Sequence, residues 1–549
     1  MGSSRKYCIG IDTGGTFTDA VVVAIDSGEV IASAKSPTTH YDIQQGIQQT
    51  IKKVLQSSQI PSEQIITTCV STTLATNALV EDKGANVGLF VIGFNQRLEV
   101  PAIAARYVPG GHTIKGQEVE PLGIQYIVDG VNELKNDVDA WAVCSSMAFM
   151  NPTHELVAAK AVKLVSDAPV FCSHEASSRA GMKERASTAC LNAQLLPVMQ
   201  KFLSGISNAL SQCGIQSEVL VVRGDATAMA MDDALNHAAS TIASGPAATA
   251  LFGSKASNQN DALILDVGGT TTDITLIKDG NPVIDTAGMS IGKWETHVKA
   301  VEMFTVGVGG DSLVQLTKGK PTTVGPARVT PICMARAIPA PDIWIGQDKS
   351  SRCITCVPDL SDEIIAASAV LSCLTKHGAM TPHALLEKLS MAEITLEQDL
   401  KTLFHNQQVI ETGFTPTDAL HVLGKLKIGN TQAALSAAET LAAIEGCTAE
   451  EFASSVITLA ERKIEETVLR HITRREVGGS LAGYLANRED NKLLQISVSL
   501  NVPMIGIGAA APYLLTKVAK RLNTTISFPD HYEVGNALGA VYMAERNCQ

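Results

Sequence analysis

The stretch Ile9-Gly10-Ile11-Asp12-Thr13-Gly14-Gly15-Thr16-Phe17-Thr18-Asp19 recurs, little changed, as Leu263-Ile264-Leu265-Asp266-Val267-Gly268-Gly269-Thr270-Thr271-Thr272-Asp273. Each copy predicts a β-hairpin: an apolar strand, a tip of glycine and hydroxyl residues, then a second apolar strand over Ala20–Ile25 or Ile274–Ile277. Paired glycines let backbone N–H groups approach an anion closely, threonine hydroxyls add donors, and the leading aspartate suits a hydrated Mg²⁺. A single such hairpin is equally well an ordinary Gly-rich turn between buried strands. Two copies with matching flanks point to duplicated architecture and to a nucleoside triphosphate gripped from both sides.

At 549 residues the chain is too long for one core, and length predicts about three or four structural units. The net charge of -12 argues against nucleic acid and against a membrane surface, both polyanionic. No apolar run reaches the roughly 20 residues that cross a bilayer. Met1–Tyr7 leads into a strand without a signal-peptide core, so the expected location is cytoplasmic. Cys8, Cys69, Cys144, Cys172 and Cys190 sit in apolar runs, where a reduced cysteine packs as a small core residue. Cys353-Ile354-Thr355-Cys356 has the spacing of half a zinc or redox site but lacks a second pair, which favours strand-packing thiols.

Strands at Gln64–Val70, Val87–Ile92, Trp141–Ser145, Val170–Ser173 and Glu218–Arg223 alternate with helical stretches such as Ile43–Gln56. That rhythm is α/β, with a mainly parallel or mixed sheet. Ligands of such folds collect at strand ends. Three segments lie there: Ser71–Leu79, which carries Thr72, Thr73, Thr76 and Asn77; Asn151-Pro152-Thr153-His154-Glu155; and Ser173-His174-Glu175. The first and third have a bland reading as well, Ser71 or Thr72 as a helix N-cap, His174 as a satisfied structural histidine and Glu175 as a cap.

Residues 361–423 change character. Helical patterns at Glu363–Lys376, Pro382–Leu389 and Leu396–Asn406 precede short strands expected at Val409–Gly413 and Ala419–Leu423. This predicts a winged-helix-like insert, with too few basic residues (Lys376, Lys388, Lys401) for DNA. Asn430–Ile472 is long-helix material, strands follow at Leu494–Leu500 and Pro503–Ile507, and the loop Gly508-Ala509-Ala510-Ala511-Pro512 opens a helix.

Together these motifs resemble the actin, sugar kinase and heat-shock chaperone superfamily, and within it the hydantoinase A and 5-oxoprolinase family. Besides the hairpins, the resemblance rests on Thr72–Ala78, Ser173-His174-Glu175, Leu191-Asn192-Ala193, Ser244-Gly245-Pro246-Ala247-Ala248 and Gly307-Val308-Gly309-Gly310-Asp311-Ser312, in the family's order. It implies two actin-like (ribonuclease H-like) domains forming an ATP clamp. The first would be 1–240 with an α/β insertion. The second would be 241–360 and 424–549, interrupted by the insert at 361–423 and carrying the adenine-side loop and C-terminal helix.

By the same resemblance Gly14, Gly15, Thr16, Gly268, Gly269 and Thr270 grip phosphate, and Asp12 and Asp266 hold Mg²⁺ through water. Gly309 and Gly310 lie by phosphate or ribose, and Gly506, Gly508 and Ala509 by adenine. Thr72, Thr73, Thr76 and Asn77 face substrate, with His174 and Glu175 as catalytic candidates. The implied reaction is ATP-dependent hydrolysis of a cyclic amide, a hydantoin or 5-oxoproline, by phosphorylation of its oxygen. A small-molecule kinase or acetone-carboxylase-like activating subunit, and a nucleotide-sensing regulatory or assembly protein, are the alternatives on the same scaffold.

Two departures stand out. The family's His-Gly before the Thr-Thr step is Val70-Ser71 here, and the superfamily's Glu-Pro becomes Gly245-Pro246. The chain also ends soon after its last helix, where larger members continue or carry a hydantoinase B-like unit. That implies such a subunit as partner, and the sequence leaves a homo-oligomer open.

Overall fold

The computed structural model describes residues 6–15, 17–38, 43–80, 84–257, 259–316, 321–335, 338–345, 351–358, 360–406, 408–476, 486 and 497–547. The chain forms two compact units. The first comprises 1–260, 277–302 and 534–549, and the second 261–276 and 303–533.

The first unit is built on a six-stranded sheet of order β10-β9-β4-β1-β2-β3. Its strands are β1 (Tyr7–Thr13), β2 (Phe17–Ala24), β3 (Val30–Pro37), β4 (Ile65–Thr72), β9 (Glu218–Val222) and β10 (Ala228–Ala230). β1, β2 and β3 pair antiparallel as a meander, whereas β4 lies parallel to β1, and β9 parallel to β4. Near-continuous apolar sequence makes β1 and β2 fully internal strands. Helix α1 (Ile43–Ser58) covers one face with Ile47, Ile51 and Val54, one helical turn apart. Helix α2 (Leu74–Val80) follows β4 directly.

Between α2 and β9 the chain builds a second, all-parallel sheet of order β6-β5-β7-β8. It consists of β5 (Val87–Ile92), β6 (Ala104–Val108), β7 (Ala140–Ser145) and β8 (Val170–Cys172). Crossover helices α3 (Ile124–Leu134) and α4 (Thr153–Lys163) pack on one face, around Phe90, Trp141 and Val143. A short helix α5 (Ser173–Ala176) leads to α6 (Met182–Gln212), which serves both sheets. Its first half puts Ala186, Ala189, Cys190 and Ala193 on the small sheet, and its second half puts Met199, Phe202 and Ile206 on the large one. Helices α7 (Met231–Asn236) and α8 (Ser244–Ser257) complete this run.

The helix Gly535–Asn547 returns to the first unit. A Cβ on Gly539 would collide with the carbonyl of Ala248 in α8, and one on Gly10 in β1 with the carbonyl of Ala537. Small residues are therefore required for helix and strand to approach this closely.

The second unit repeats the central motif. Strand β11 (Ala262–Val267) leads through the second hairpin into β12 (Thr272–Lys278). Met504–Ile507 lies parallel to β11, Ile526–Ser527 parallel to that strand, and Met303–Val306 antiparallel to β12. The helices Thr431–Glu445 and Ala449–Glu476 bury Leu441, Phe452, Val456 and Ile464 in its core. A satellite core of Ile354, Leu371, Leu374, Leu385, Leu396, Leu400 and Val409 holds the smaller helices between 362 and 405.

Several expectations are corrected. The stretch 419–423 is not a strand: Pro416–Val422 is helical, fixed by a capping box in which Thr415 and Asp418 satisfy each other's backbone N–H. The partners of Val409–Gly413 are Arg352–Cys356 and Thr330–Pro331, outside the 361–423 segment. Glu363–Lys376 is two helices, Asp362–Ala366 and Ala369–His377, the second capped by Ser368. Asn430–Ile472 is likewise broken, at Gly446 with φ 72°. Much of Leu494–Leu500 lies outside the described residues, and 497–500 is not strand. By contacts the first unit runs to Asn260 and takes in 277–302 and the last helix.

Among the described residues no helix is long and apolar enough to cross a membrane. The cysteines there are free. Three residues apart on one strand, Cys353 and Cys356 face opposite ways: Cys353 enters the main core of its unit and Cys356 packs on the satellite core.

Candidate functional site

The two hairpin tips close alike. Gly14 N–H donates to the Phe17 carbonyl at 3.0 Å, and Gly268 N–H donates to that of Thr271 at 2.9 Å. Gly14 and Gly15 are half-buried, and Thr16 lies outside the described residues. Gly269, Thr270 and Thr271 sit at the second tip.

Asp12 is buried at the root of the first tip. Its Oδ1 accepts from Ser71 Oγ at 2.6 Å, because β4 runs parallel to β1 with Ser71 opposite Asp12. Its Oδ2 accepts from Asn536 Nδ2 at 3.4 Å, and Asn536 Oδ1 in turn accepts from Thr249 Oγ1. Asp19, at the far end of the hairpin, pairs with Lys35 at 3.2 Å.

Beside this tip, Thr72 is buried. Its hydroxyl donates to the Thr13 carbonyl and accepts from Leu74 N–H, and its backbone is bonded to Ser244 Oγ. The geometry gives Thr72 a structural role rather than the substrate contact expected. Thr73 and Thr76 stay partly exposed. Thr76 Oγ1 accepts from Ala243 N–H at 3.4 Å, and the side chain of Asn77 lies outside the described residues.

The second tip is braced by Gly307–Ser312. Gly310 N–H donates to the Gly268 carbonyl at 3.0 Å and Asp311 N–H to that of Gly269 at 2.7 Å. A Cβ on Gly309 would stand 2.5 Å from both carbonyl oxygens, so only glycine fits. Gly508 has φ 92° and lies against the Val267 carbonyl and Asp266 Oδ1, while Ala509 is exposed. Gly506 is buried with the Phe528 ring where its Cβ would be, a packing position. Asp273 accepts from Thr305 Oγ1 at 2.7 Å; burial, and then Asp266, push its carboxyl up to about 7.

A second cluster lies at the carboxyl edge of the small parallel sheet. Glu155, from the first turn of α4, is fully buried between the ends of β7 and β8. It accepts from Ser145 N–H (2.7 Å), Ser173 Oγ (2.6 Å), His174 N–H (2.9 Å) and His174 Nδ1 (2.7 Å). Arg185 of α6, also buried, lies 3.9 Å from it and donates to Ser173 Oγ and the Ser145 carbonyl. The Glu155 bond holds His174 above the usual imidazole range, and burial raises the neighbouring Glu175.

Glu155, Cys172 and His174 also meet the spacing of a metal site. The donor set argues otherwise. Each Glu155 oxygen already accepts two hydrogen bonds, a guanidinium stands beside it, and burial pushes the Cys172 thiol well up. A cation would displace bonds that a proton does not. Sequence reasoning placed Glu155 in a segment at a strand end without giving it a role, and missed Arg185, Asn536 and the Ser71 bond. A first-turn acid, a helix-buried arginine and a C-terminal asparagine carry no spacing that distinguishes them from solvated residues.

A family model described as Hydantoinase/oxoprolinase N-terminal region matches residues 8–165, and one described as Hydantoinase/oxoprolinase matches 185–544. The caprolactamase subunit alpha of Pseudomonas jessenii is 28% identical over 373 residues, 61% of this chain and 53% of that one. The 5-oxoprolinase 1 of Arabidopsis thaliana is 28% identical over 390 residues, 60% of this chain and 30% of that one. The chain thus spans about half the length of the first relative and under a third of the second. The nucleotide-free structure of acetone carboxylase superposes with a TM-score of 0.69 at 19% identity, covering 98% of this chain and 70% of that one, a likeness of fold. With both family models matched in order along a chain that carries the paired hairpins, the protein belongs to the hydantoinase/oxoprolinase family.

Proposed function

We propose that this chain uses ATP to activate a cyclic amide of the lactam, hydantoin or 5-oxoproline type for hydrolysis, by phosphorylating the amide oxygen. The observation that carries the reading is the pair of hairpins, one in each unit, each closed by the same glycine N–H bond and rooted on an aspartate. We read each unit as actin-like, with a phosphate-binding hairpin of its own. The relatives named for caprolactam and 5-oxoproline support the substrate class.

An unstrained lactam is a poor electrophile, and phosphorylation converts its oxygen into a leaving group. The protein's share of such a step is positioning and charge neutralisation at the γ-phosphate. Gly14, Gly15, Gly268 and Gly269 offer close backbone approach, while Gly508 and Ala509 flank the root of the second tip. Asp12 and Asp266 are hard-oxygen donors suited to Mg²⁺ through water, and Mg²⁺ there would neutralise phosphate charge. The Glu155–His174 cluster, Thr73 and Thr76 form the substrate side. We retain the small helical module at 362–405, with its ribbon from 352–356 and 409–413, as winged-helix-like and as an interaction or spacer element. A hydantoinase B-like subunit is the expected partner, and the cytoplasm the expected compartment.

The test is Mg²⁺-dependent ADP release by the full chain, alone and with such a subunit, against hydantoins, 5-oxoproline, caprolactam and simple ketones with bicarbonate. Stimulation by a cyclic amide, abolished in Asp12→Asn, supports the reading. Stimulation by ketones alone moves the chain to the carboxylase-like role, and nucleotide binding with a flat panel moves it to a regulatory one.

A further inference from the structure

A histidine kept for structure has its ring nitrogens bonded or sealed from solvent, and a surface histidine has no reason to sit on a fully buried carboxylate. His174 fits neither description. Its Nδ1 is 2.7 Å from Glu155 Oε2, while Nε2 has no hydrogen-bond partner among the described residues and is not sealed from solvent. The ring is 18% exposed and Glu155 is not exposed at all.

The hydrogen positions follow from the donor set. Ser173 Oγ accepts from Arg185 Nη1 at 2.7 Å, so its own hydrogen goes to Glu155 at 2.6 Å. The Ser145 and His174 backbone N–H groups can only donate. Three such donors and a nearby guanidinium make Glu155 an acceptor towards His174 as well, which fixes the proton on Nδ1 and leaves the lone pair on Nε2. A carboxylate behind the far nitrogen of an exposed imidazole both orients the ring and strengthens it as a base. The whole device stands where β7 and β8 end, the edge at which parallel sheets present ligands.

We infer that His174 Nε2 is the base that takes the ring N–H proton of the cyclic amide as the amide oxygen attacks the γ-phosphate, with Glu155 as the residue that positions it. This rests on the amide phosphorylation proposed above. The new O–P bond forms as the bond from phosphorus to the bridging oxygen breaks and ADP leaves. The nitrogen lone pair becomes the C=N bond, and the N–H bonding pair remains on nitrogen as its new lone pair. The proton ends on Nε2, so an imidoyl phosphate forms whose ring nitrogen is neutral and whose phosphoryl group keeps its charge, and no oxidant or further reactant is needed. The charged and titratable groups around the ring are Glu155 of α4, Glu175 of its own helix, Arg185 of α6 and the thiols of Cys144 and Cys172; Lys163 and His237 act on Glu175.

The experiment pairs ¹⁵N NMR of the imidazole in the full chain with ADP release on whichever cyclic amide stimulates it. The ring is expected as the Nδ1–H tautomer, titrating above the ordinary histidine value. In Glu155→Gln that value falls, and the acid limb of the activity profile, which reports loss of the neutral ring, moves to lower pH. His174→Gln is expected to lose about 10²- to 10⁴-fold in turnover with unchanged nucleotide affinity, and added imidazole to restore part of it. Should Glu155→Gln not fold, Ser173→Ala gives a smaller shift of the same limb. Wild-type turnover in His174→Gln, or an unmoved limb in a folded variant, overturns the base while leaving amide phosphorylation intact. Absence of ADP release by the wild type on every cyclic amide overturns the underlying reading, and the base with it.

Discussion

Ser71 donates its hydroxyl hydrogen to Asp12 at 2.6 Å across adjacent parallel strands, so a serine of β4 fixes the first hairpin's carboxylate. Ser71→Ala leaves a buried acceptor short of one donor. Hydrogen bonds to charged groups contribute about 1.5–3 kcal/mol, and denaturant unfolding is expected to show a loss of that order. The Mg²⁺ concentration for half-maximal ADP release is expected to rise, since the carboxylate is no longer held. Unchanged stability and unchanged Mg²⁺ dependence would show that the strand alone orients Asp12.

Gly309→Ala forces a methyl group against the Gly268 and Gly269 carbonyls, the two atoms through which the brace holds the second tip. Overpacking of this kind costs about 1–3 kcal/mol. ATP affinity measured by calorimetry is expected to fall at least tenfold. Retained affinity would mean that the tip keeps its shape without the brace.

Asp273 yields a pH signature. Its folded value, near 7, lies above its unfolded one, so the folded state binds the extra proton between about pH 4 and 7. Stability is therefore expected to fall as pH rises through that window and to level off above it. In Asp273→Asn this component disappears, and thermal unfolding followed from pH 5 to 8 is expected to be flatter and higher at the alkaline end. A wild-type fall of stability with rising pH that survives unchanged in the variant would place the titration elsewhere.

Thr72→Val tests the structural assignment of that hydroxyl. Since Thr72 bonds Thr13 and Leu74 rather than facing outward, the substitution is expected to lower stability by about 1–3 kcal/mol. KM for the cyclic amide should remain within a factor of about two to three, below 1 kcal/mol in binding. A KM effect without a stability effect would return Thr72 to the substrate side.

Much of this architecture is visible in the residues themselves. The hairpins announce themselves because glycine, threonine and aspartate at fixed offsets leave the backbone few alternatives, and their duplication exposes the two-unit plan. Apolar runs place β5, β7 and the strand Met504–Ile507 for the same reason. The errors fall where tertiary context decides. Ala419–Leu423 has strand-like residues, yet a cap formed by Thr415 and Asp418, with Asp418 also accepting from Ile332 and Cys333 N–H, turns the segment into a helix. Glu155 was legible only as part of a segment at a strand end, because the Ser145, Ser173 and Arg185 partners that give it meaning arrive from other elements. Asn536 was invisible for a related reason: its bond to Asp12 joins residues from opposite ends of the sequence.

That last bond has a consequence for biosynthesis. The helix that seals the first unit is translated only after the second unit's residues 303–533 have been made. At about 5–20 residues per second, α8 waits roughly fifteen to fifty-five seconds, and β1 about twice as long, for the surface that Gly10 and Gly539 are shaped to receive. During that interval the nascent first unit exposes an apolar face that a chaperone can hold, and a ribosome stalled short of Val534 releases a chain whose Asp12 lacks Asn536.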